Sequence, residues 1–271
     1  MSTMADSHKP NKKIQKAIIV SKVYHRPVGG AISEVAKLLN NLGVEAYIDQ
    51  NTAVGFNLED VPIISRRYIR DADLIIVVGG DGSLLGAARS LVDFEVPMLG
   101  INRGHLGLLT DVSPHNLEKC LKKVVEGKYT TENRMLLEVR VFRRDEDGAE
   151  EQIGQSLAMN ETVIHSGILA HMIVCRVNIN GSFLYSLRAD GIILGTPTGS
   201  TAYSLSAGGP IIEPHLDVLS LVPMFPQSLN CSPIIIPGKS RVEVEFEFKE
   251  DVPEWVNINC DGQVTIRADT K

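Results

Sequence analysis

The chain has 271 residues, enough for one large domain or two modest ones that each bury a real core. A hydrophobic fraction of 44% and a charged fraction of 22% exclude a disordered chain. Lys+Arg 27 against Asp+Glu 33 gives a net charge of −6, spread without long blocks of one sign, which excludes broad electrostatic capture of nucleic acid or an anionic membrane; any polyanionic ligand must be held locally.

The chain opens on a polar segment, residues 1–15, that reads as a disordered tail and lacks the apolar core of a secretory signal. The first half then alternates strands and helices. Ala17 to Val20 is a buried-strand run, and after a break at Gly29-Gly30 the residues Ile32, Val35, Ala36 and Leu39 fall on one face of a helix that closes near Gly43. Glu45 to Ile48, Leu74 to Val78 and Pro97 to Ile101 predict a second, third and fourth strand, with a helix from Ser83 to about Leu91 between the last two. Ser113 as N-cap, Pro114 in the first turn and Leu117, Cys120, Leu121 and Val124 on one face predict a further helix before Gly127. Repeated β-α units imply a parallel sheet, and the first domain is expected to span residues 1–130.

From 131 to 271 the period changes to two. Leu137, Val139 and Val141 alternate with polar residues, as do Val242, Val244, Phe246 and Phe248 with Glu243, Glu245 and Glu247, a pattern suited to antiparallel sheets with one wet face. Asn180-Gly181 between two such runs predicts a type I′ hairpin, and Asp145-Glu146-Asp147-Gly148 reads as a solvated hairpin tip. No apolar run approaches the roughly 20 residues of a membrane helix. Cys120, Cys175, Cys231 and Cys260 are far apart with no C-x-x-C pair, which fits reduced thiols in the cytoplasm better than zinc or a disulfide framework.

The most informative segment is Gly79-Gly80-Asp81-Gly82-Ser83, directly after an all-apolar strand and before a helix. Glycines admit close backbone approach, and the helix start offers N–H groups and a positive dipole end, so Gly79, Gly80, Gly82 and Ser83 suit a phosphate; the structural alternative is a tight turn without a ligand. A carboxylate about 4 Å from a phosphate oxygen costs roughly 4 kcal/mol at an effective dielectric of 20, so Asp81 needs a metal ion or a proton to accept, and either role points to phosphoryl transfer. No G-x-x-x-x-G-K-[ST] is present, and the spacing of Gly80, Gly82 and Gly86 follows the wrong strand for a dinucleotide-binding dehydrogenase. A second constellation, Thr196 to Ser206, concentrates hydroxyls around Tyr203, as a polyhydroxylated ligand with an aromatic base requires; a Ser/Thr-rich loop and helix cap is the plainer alternative. Asn160-Glu161, Asp190-Gly191 and Asp261-Gly262-Gln263 would together supply acceptors for ribose hydroxyls, while each alone reads as a turn or a satisfied buried polar pair. His165 and His171 show no metal-ligand spacing.

These residues resemble the NAD kinases, ATP-dependent enzymes that convert NAD to NADP. The resemblance rests on Gly79-Gly80-Asp81-Gly82-Ser83, on Gly100-x-Asn102-Arg103-Gly104-x-Leu106-Gly107, on Asn160-Glu161, and on the run from Arg188 through Pro210, and it covers nearly the whole chain. The first motif is shared with diacylglycerol and sphingosine kinases and phosphofructokinases; the run TPTGSTAYSLSAGGP is specific. The resemblance implies an α/β nucleotide-binding domain with a parallel sheet followed by a β-rich, β-sandwich NAD-binding domain, and homo-oligomers, tetramers or dimers. It implies transfer of the ATP γ-phosphate to the 2′-hydroxyl of the adenosine ribose of NAD, with Mg²⁺ or another divalent cation held mainly by the nucleotide phosphates and polyphosphate as an alternative donor. Carried over by position, Asp81 becomes the proton acceptor with Gly82 beside it, and Asn160, Glu161, His171, Arg188, Asp190, Thr201, Ala202, Tyr203, Ser204, Leu205, Ser206 and Gln263 the NAD-binding positions. Two departures stand out: Leu108 where the family commonly has an aromatic, and an end at Lys271 where relatives continue with a tail. The rival readings are a lipid or sugar kinase sharing the glycine loop, disfavoured by the TPTGSTAY run, and a non-catalytic NAD-sensing module, disfavoured by Asp81.

Overall fold

A computed structural model describes residues 12–21, 28–56, 58, 60–103, 107–110, 112–145, 147–168, 171–228, 231–246 and 255–269. Most of the expected tail, Gly104 and Leu106 of the third motif, Glu146, and Glu247 and Phe248 of the alternating run lie outside these residues. The chain divides into two compact units, Met1–Glu132 and Asn133–Lys271.

In the first unit the elements run β1 (Lys16–Ser21), α1 (Gly29–Asn41), β2 (Glu45–Asp49), the single turn α2 (Gln50–Ala53), β3 (Ile63–Ile64), β4 (Leu74–Val78), α3 (Asp81–Leu91), β5 (Met98–Ile101) and α4 (Leu117–Val125). The strands form a parallel sheet in the order β3-β2-β1-β4-β5. Because β-strand side chains alternate, β1 and β4 supply both faces. Ala17, Ile19, Leu74, Ile76 and Val78 pack with Ile32, Val35, Ala36 and Leu39 of α1 and Leu117, Leu121 and Val124 of α4. Ile18, Val20, Ile75 and Val77 pack with Leu84, Ala87 and Leu91 of α3 on the other face. Helices on both faces explain why Leu74–Val78 is apolar at every position and fully buried. The chain reverses its direction of winding between β1 and β4, and the carboxyl ends of the strands at such a point are where open α/β sheets place ligands.

Two sequence expectations differ here, and some short elements go unforeseen. Gly29 and Gly30 begin α1 instead of breaking the chain before it. The short β3, α2 and a 3₁₀ turn at Arg66–Asp71 were not legible, because two-residue strands and single turns carry no period. The end of the segment expected to be a disordered tail is ordered instead: Ile14 is 4% exposed in the core, and its N–H reaches the Val125 carbonyl at the end of α4.

In the second unit β6 (Leu137–Arg144) and β7 (Glu150–Ala158) form a two-stranded ribbon whose tip is the acidic turn. The remaining strands are β8 (Glu161–His165), β9 (Ile173–Ile179), β10 (Ser182–Ala189), β11 (Gly191–Gly195), β12 (Val218–Met224), β13 (Ile234–Pro237), β14 (Val242–Phe246), β15 (Trp255–Cys260) and β16 (Val264–Asp269). They form a three-stranded sheet, β10-β9-β14, and a six-stranded sheet, β13-β12-β11-β8-β15-β16, antiparallel throughout. Ile173, Cys175, Val177 and Leu187 of the smaller sheet pack with Ile192, Leu221, Val256 and Ile258 of the larger one, so the core is that of a β-sandwich. Asn180 and Gly181 have φ of 52° and 80°, the two positive values a type I′ turn requires. Among the described residues no helix is long and apolar enough to cross a membrane.

The N-terminal edge of the first sheet carries a load on Asp73. Its carboxylate accepts the N–H groups of Gln15 (2.8 Å) and Lys16 (3.0 Å) and pairs with Lys12 at 2.5 Å. Burial is the largest influence and opposes ionisation, but the Lys12 and backbone hydrogen bonds together outweigh it and hold the carboxyl below its ordinary value. Stability from such a group is present above the unfolded-state pKa and lost as pH falls through the lowered native one. Asp73→Asn is expected to cost about 1–2 kcal/mol at pH 7 in denaturant melts, with the deficit against the parent closing as pH approaches the acid range.

Candidate active site

The glycine bend sits at the carboxyl end of β4 and is tied to both neighbouring strands. The Gly79 N–H donates to the Ile101 carbonyl of β5 (2.9 Å), and the Ser21 hydroxyl of β1 donates to the Val78 carbonyl (2.7 Å). The helix begins at Asp81, two residues earlier than the sequence pattern places it, so Asp81 occupies the first helical position, where a negative charge is favoured. Gly80 and Gly82 are exposed and Ser83 half-buried, leaving the bend open to a ligand on its outer side.

Sequence reasoning leaves the Asp81 carboxylate in need of a metal or a proton; the structure gives it partners of a third kind. Oδ2 accepts the Leu108 N–H (2.8 Å), while Oδ1 accepts the Leu109 N–H (3.2 Å), the Thr110 N–H (3.0 Å) and the Thr110 hydroxyl (2.8 Å). The carboxylate is thereby fixed in orientation. Leu108, where the family commonly has an aromatic, is 75% exposed and serves Asp81 through its backbone.

In the second unit a different set converges at the start of β8. Asp261 stands at the β15-β16 turn with φ of 52°, and its buried carboxylate accepts the N–H groups of Met159 (3.0 Å), Asn160 (2.7 Å) and Glu161 (3.3 Å). The Thr196 N–H donates to the Asn160 carbonyl (2.9 Å) and the Thr196 hydroxyl to the Met159 carbonyl (2.6 Å). Asn160-Glu161, the Asp261-Gly262-Gln263 turn and the Thr196 to Ser206 run, far apart in sequence, thus surround one point. Here Asp261 is a satisfied buried polar group, the plainer of its two expected readings.

The hydroxyl-rich run divides in two. Thr196, Ser200 and Ser204 are fully buried; the Ser200 hydroxyl donates to the Pro197 carbonyl (2.7 Å) and accepts the Ile212 N–H (3.0 Å). The Thr196 and Ser200 hydroxyls hold the loop and its turns, Thr198–Thr201 and α5 (Tyr203–Ser206), so not every hydroxyl of the run faces outward as the sequence pattern suggests. Thr201, Tyr203, Leu205 and Ser206 are exposed and Ala202 and Gln263 half-exposed. Three buried polar atoms here have no hydrogen-bond partner among the described residues: Asn160 Oδ1, Glu161 Oε2 and Ser204 Oγ.

Arg188, Asp190 and His171 are not part of this convergence. In the antiparallel register Gly195 pairs with Glu161, whereas Gly191 pairs with His165, so Asp190, just before Gly191, lies beyond the far end of β11, about 17 Å away at the usual rise per residue. Arg188 and His171 are exposed at that end, and His165 Nδ1 accepts the Gly167 N–H (3.0 Å), a packed polar role. Phe225 follows Met224, whose carbonyl accepts the Asp190 N–H, and is 73% exposed with φ of 47°. Sequence reasoning missed this aromatic beside two candidate residues; a single Phe after an apolar strand gives no signal.

Glu161 is 5% exposed, and burial first, then the charge of Asp261, raises its carboxyl from the ordinary range to about 7. A carboxyl raised in the native state binds its proton more tightly folded than unfolded, so it stabilises the fold in acid and costs stability as pH rises from the unfolded value to about 7. Glu161→Gln removes that cost. In thermal melts the variant is expected to match the parent near pH 4 and to exceed it at pH 8, by at most about 3 kcal/mol at ~1.4 kcal/mol per pH unit.

Residues 32–129 match the model of the ATP-NAD kinase N-terminal domain and residues 159–271 that of the ATP-NAD kinase C-terminal domain. The NAD kinase of Tolumonas auensis is 51% identical over 197 residues, 73% of this chain and 65% of that relative, and the NAD kinase of Aeromonas salmonicida is 42% identical over 249 residues, 92% and 83%. Among solved structures, yeast NADH kinase complexed with NADH superposes with a TM-score of 0.79 at 25% identity, covering 94% of this chain and 75% of that one. An NAD kinase from Archaeoglobus fulgidus in complex with ATP gives 0.68 at 30% identity, covering 94% and 87%. The parallel sheet with its Gly-Gly-Asp-Gly bend, the antiparallel sandwich after it and these matches over both units agree: the chain belongs to the NAD kinase family of phosphotransferases.

Proposed function

We propose that the chain phosphorylates the 2′-hydroxyl of the adenosine ribose of NAD, with ATP as donor, and yields NADP and ADP. The observation that carries the reading is the Asp81 carboxylate, fixed at the carboxyl end of β4, where among the described residues Oδ1 receives three donors and Oδ2 one. Oδ2 therefore keeps a lone pair for the ribose hydroxyl. As that proton passes to Oδ2, the ribose oxygen bonds to the γ-phosphorus, the bond from phosphorus to the bridging oxygen breaks, and its electron pair leaves with ADP. The bend formed by Gly79, Gly80, Gly82 and Ser83 approaches the phosphates, which the N-terminus of the eleven-residue α3 favours electrostatically. Among the described residues no three His, Cys, Asp or Glu side chains gather to cage a metal, so a divalent cation fits here as one carried by the nucleotide phosphates, where it supplies charge neutralisation.

Asn160, Glu161, Thr201 to Ser206 and Gln263 form one part of the NAD shell, and His171, Arg188 and Asp190 the other, at opposite ends of one strand. A dinucleotide, with a nucleoside at each end, suits that spacing. Glu161, with its carboxyl raised to about 7, can donate or accept toward a sugar hydroxyl, and Arg188 offers a guanidinium to phosphate. The free cysteines support a cytoplasmic location. Ile211, Leu216, Phe225 and Ile235 are 46–73% exposed in the second unit, and this much apolar surface supports a homo-oligomer. Light scattering is expected to return a multiple of 29.6 kDa, and Ile235→Lys with Ile211→Lys to return the single-chain mass.

NAD, diacylglycerol and fructose 6-phosphate offered in parallel with ATP or polyphosphate and Mg²⁺ test the reaction. Product is expected from NAD alone, detected as NADP by an NADP-specific dehydrogenase. Asp81→Asn should bind NAD in calorimetry yet lose about 10²- to 10⁴-fold in kcat; undiminished turnover would remove the base.

A further inference from the structure

The third motif, Gly100-x-Asn102 with Gly107, has no chemistry assigned to it by the reading above, and its residues meet at Thr110. We infer that Thr110 is a positioning residue for Asp81, selecting which carboxylate oxygen is left to accept the ribose proton; the inference rests on the proposed role of Asp81.

The Thr110 side chain is fully buried, and its hydroxyl donates to Asp81 Oδ1 at 2.8 Å while its own N–H donates to the same oxygen at 3.0 Å. With the Leu109 N–H at 3.2 Å, the lone pairs of Oδ1 are spoken for. Thr110 is β-branched and stiff about χ1, and its surroundings hold it in this rotamer. The Thr110 Cγ2 methyl lies against Gly100 of β5, where a β-carbon would come within 2.6 Å of it. The Thr110 carbonyl accepts the Asn102 side-chain amide (3.2 Å), and Asn102 is itself 4% exposed. On the other side Gly107 makes room for the carboxylate, since a β-carbon there would collide with Asp81 Oδ1 and approach Thr110 Oγ1. Gly100, Asn102 and Gly107 thus each have a steric or hydrogen-bonding reason to be what they are, and each reason concerns either Thr110 or the carboxylate it holds.

The hydroxyl is the side-chain member of this donor set; the other three donors are backbone N–H groups whose positions follow the loop. Without it Oδ1 regains an open lone pair, the two oxygens become more nearly equivalent, and the carboxylate gains freedom to present either one. The cost falls on the proton-transfer step and not on NAD binding, because Thr110 is buried behind Asp81's Oδ1 and offers no surface to a ligand.

The test compares Thr110→Val, which keeps the shape and the methyl, with Thr110→Ser, which keeps the hydroxyl. In the NADP-forming assay valine is expected to lower kcat roughly 10- to 100-fold with KM for NAD within about twofold of the parent, and serine to restore kcat to within about threefold. A valine variant with parent kcat, or one whose loss lies in KM, overturns the role while leaving Asp81 as base; a serine variant as slow as valine overturns it too. If valine does not fold, by thermal melt and circular dichroism, Thr110→Ala against Thr110→Ser reads the same contrast, with the same expected and overturning results. The parent protein in the same plate reports on the proposed reaction itself: absence of NADP there sinks that reading, and the positioning role with it.

Discussion

One carboxylate joins the two ends of the first unit's functional edge. Asp81 begins α3 just beyond β4, and the donors it gathers belong to the segment after β5, twenty-seven to twenty-nine residues further on. A buried or half-buried charge tolerates such a place only when its lone pairs are met, and four donors meet them. The loop in turn has no regular secondary structure of its own from 107 to 110 and takes its shape from the anion it surrounds. Asp81 is therefore part of the architecture before it is part of any reaction, and a substitution that removes its charge unsettles the loop as well as the chemistry.

The second unit repeats the device with the opposite purpose. Asp261 accepts three consecutive backbone N–H groups and so fixes the entry to β8, but its burial also places a second acid, Glu161, within its field. One carboxylate is satisfied, and its neighbour has an oxygen without a partner among the described residues. Two acids placed close together and treated differently by their surroundings is the arrangement by which a protein keeps one of them protonated near neutrality.

Much of this was legible in the sequence. The all-apolar Leu74 to Val78 announced a strand covered on both faces, and the switch from a period of 3.6 to one of two announced the sandwich. The Asn180-Gly181 turn was read from two residues, because positive φ at both leaves few alternatives. The glycine bend gave Asp81 directly. What stayed hidden was who serves whom. Thr196 and Ser200 carry the same hydroxyl as Thr201 and Ser206, and only burial separates those that hold the loop from those that are exposed. Likewise Thr110 is an ordinary residue in an irregular stretch, and Asp261 one acid among 33 acidic residues; their importance lies in partners that composition and periodicity do not encode.

The span of the Asp261 contacts sets an order of events. Its partners at 159–161 lie about a hundred positions earlier, with eight strands of the sandwich between. As a growing polypeptide leaves the ribosome, the entry to β8 emerges long before its anchor and has no local substitute for it. The Asn160 carboxamide and the Glu161 acid are thus fixed late, in the same step that closes the larger sheet, and a nascent chain that stalls short of β15 has the sequence of the glycine bend complete but lacks the anchor that orders the entry to β8.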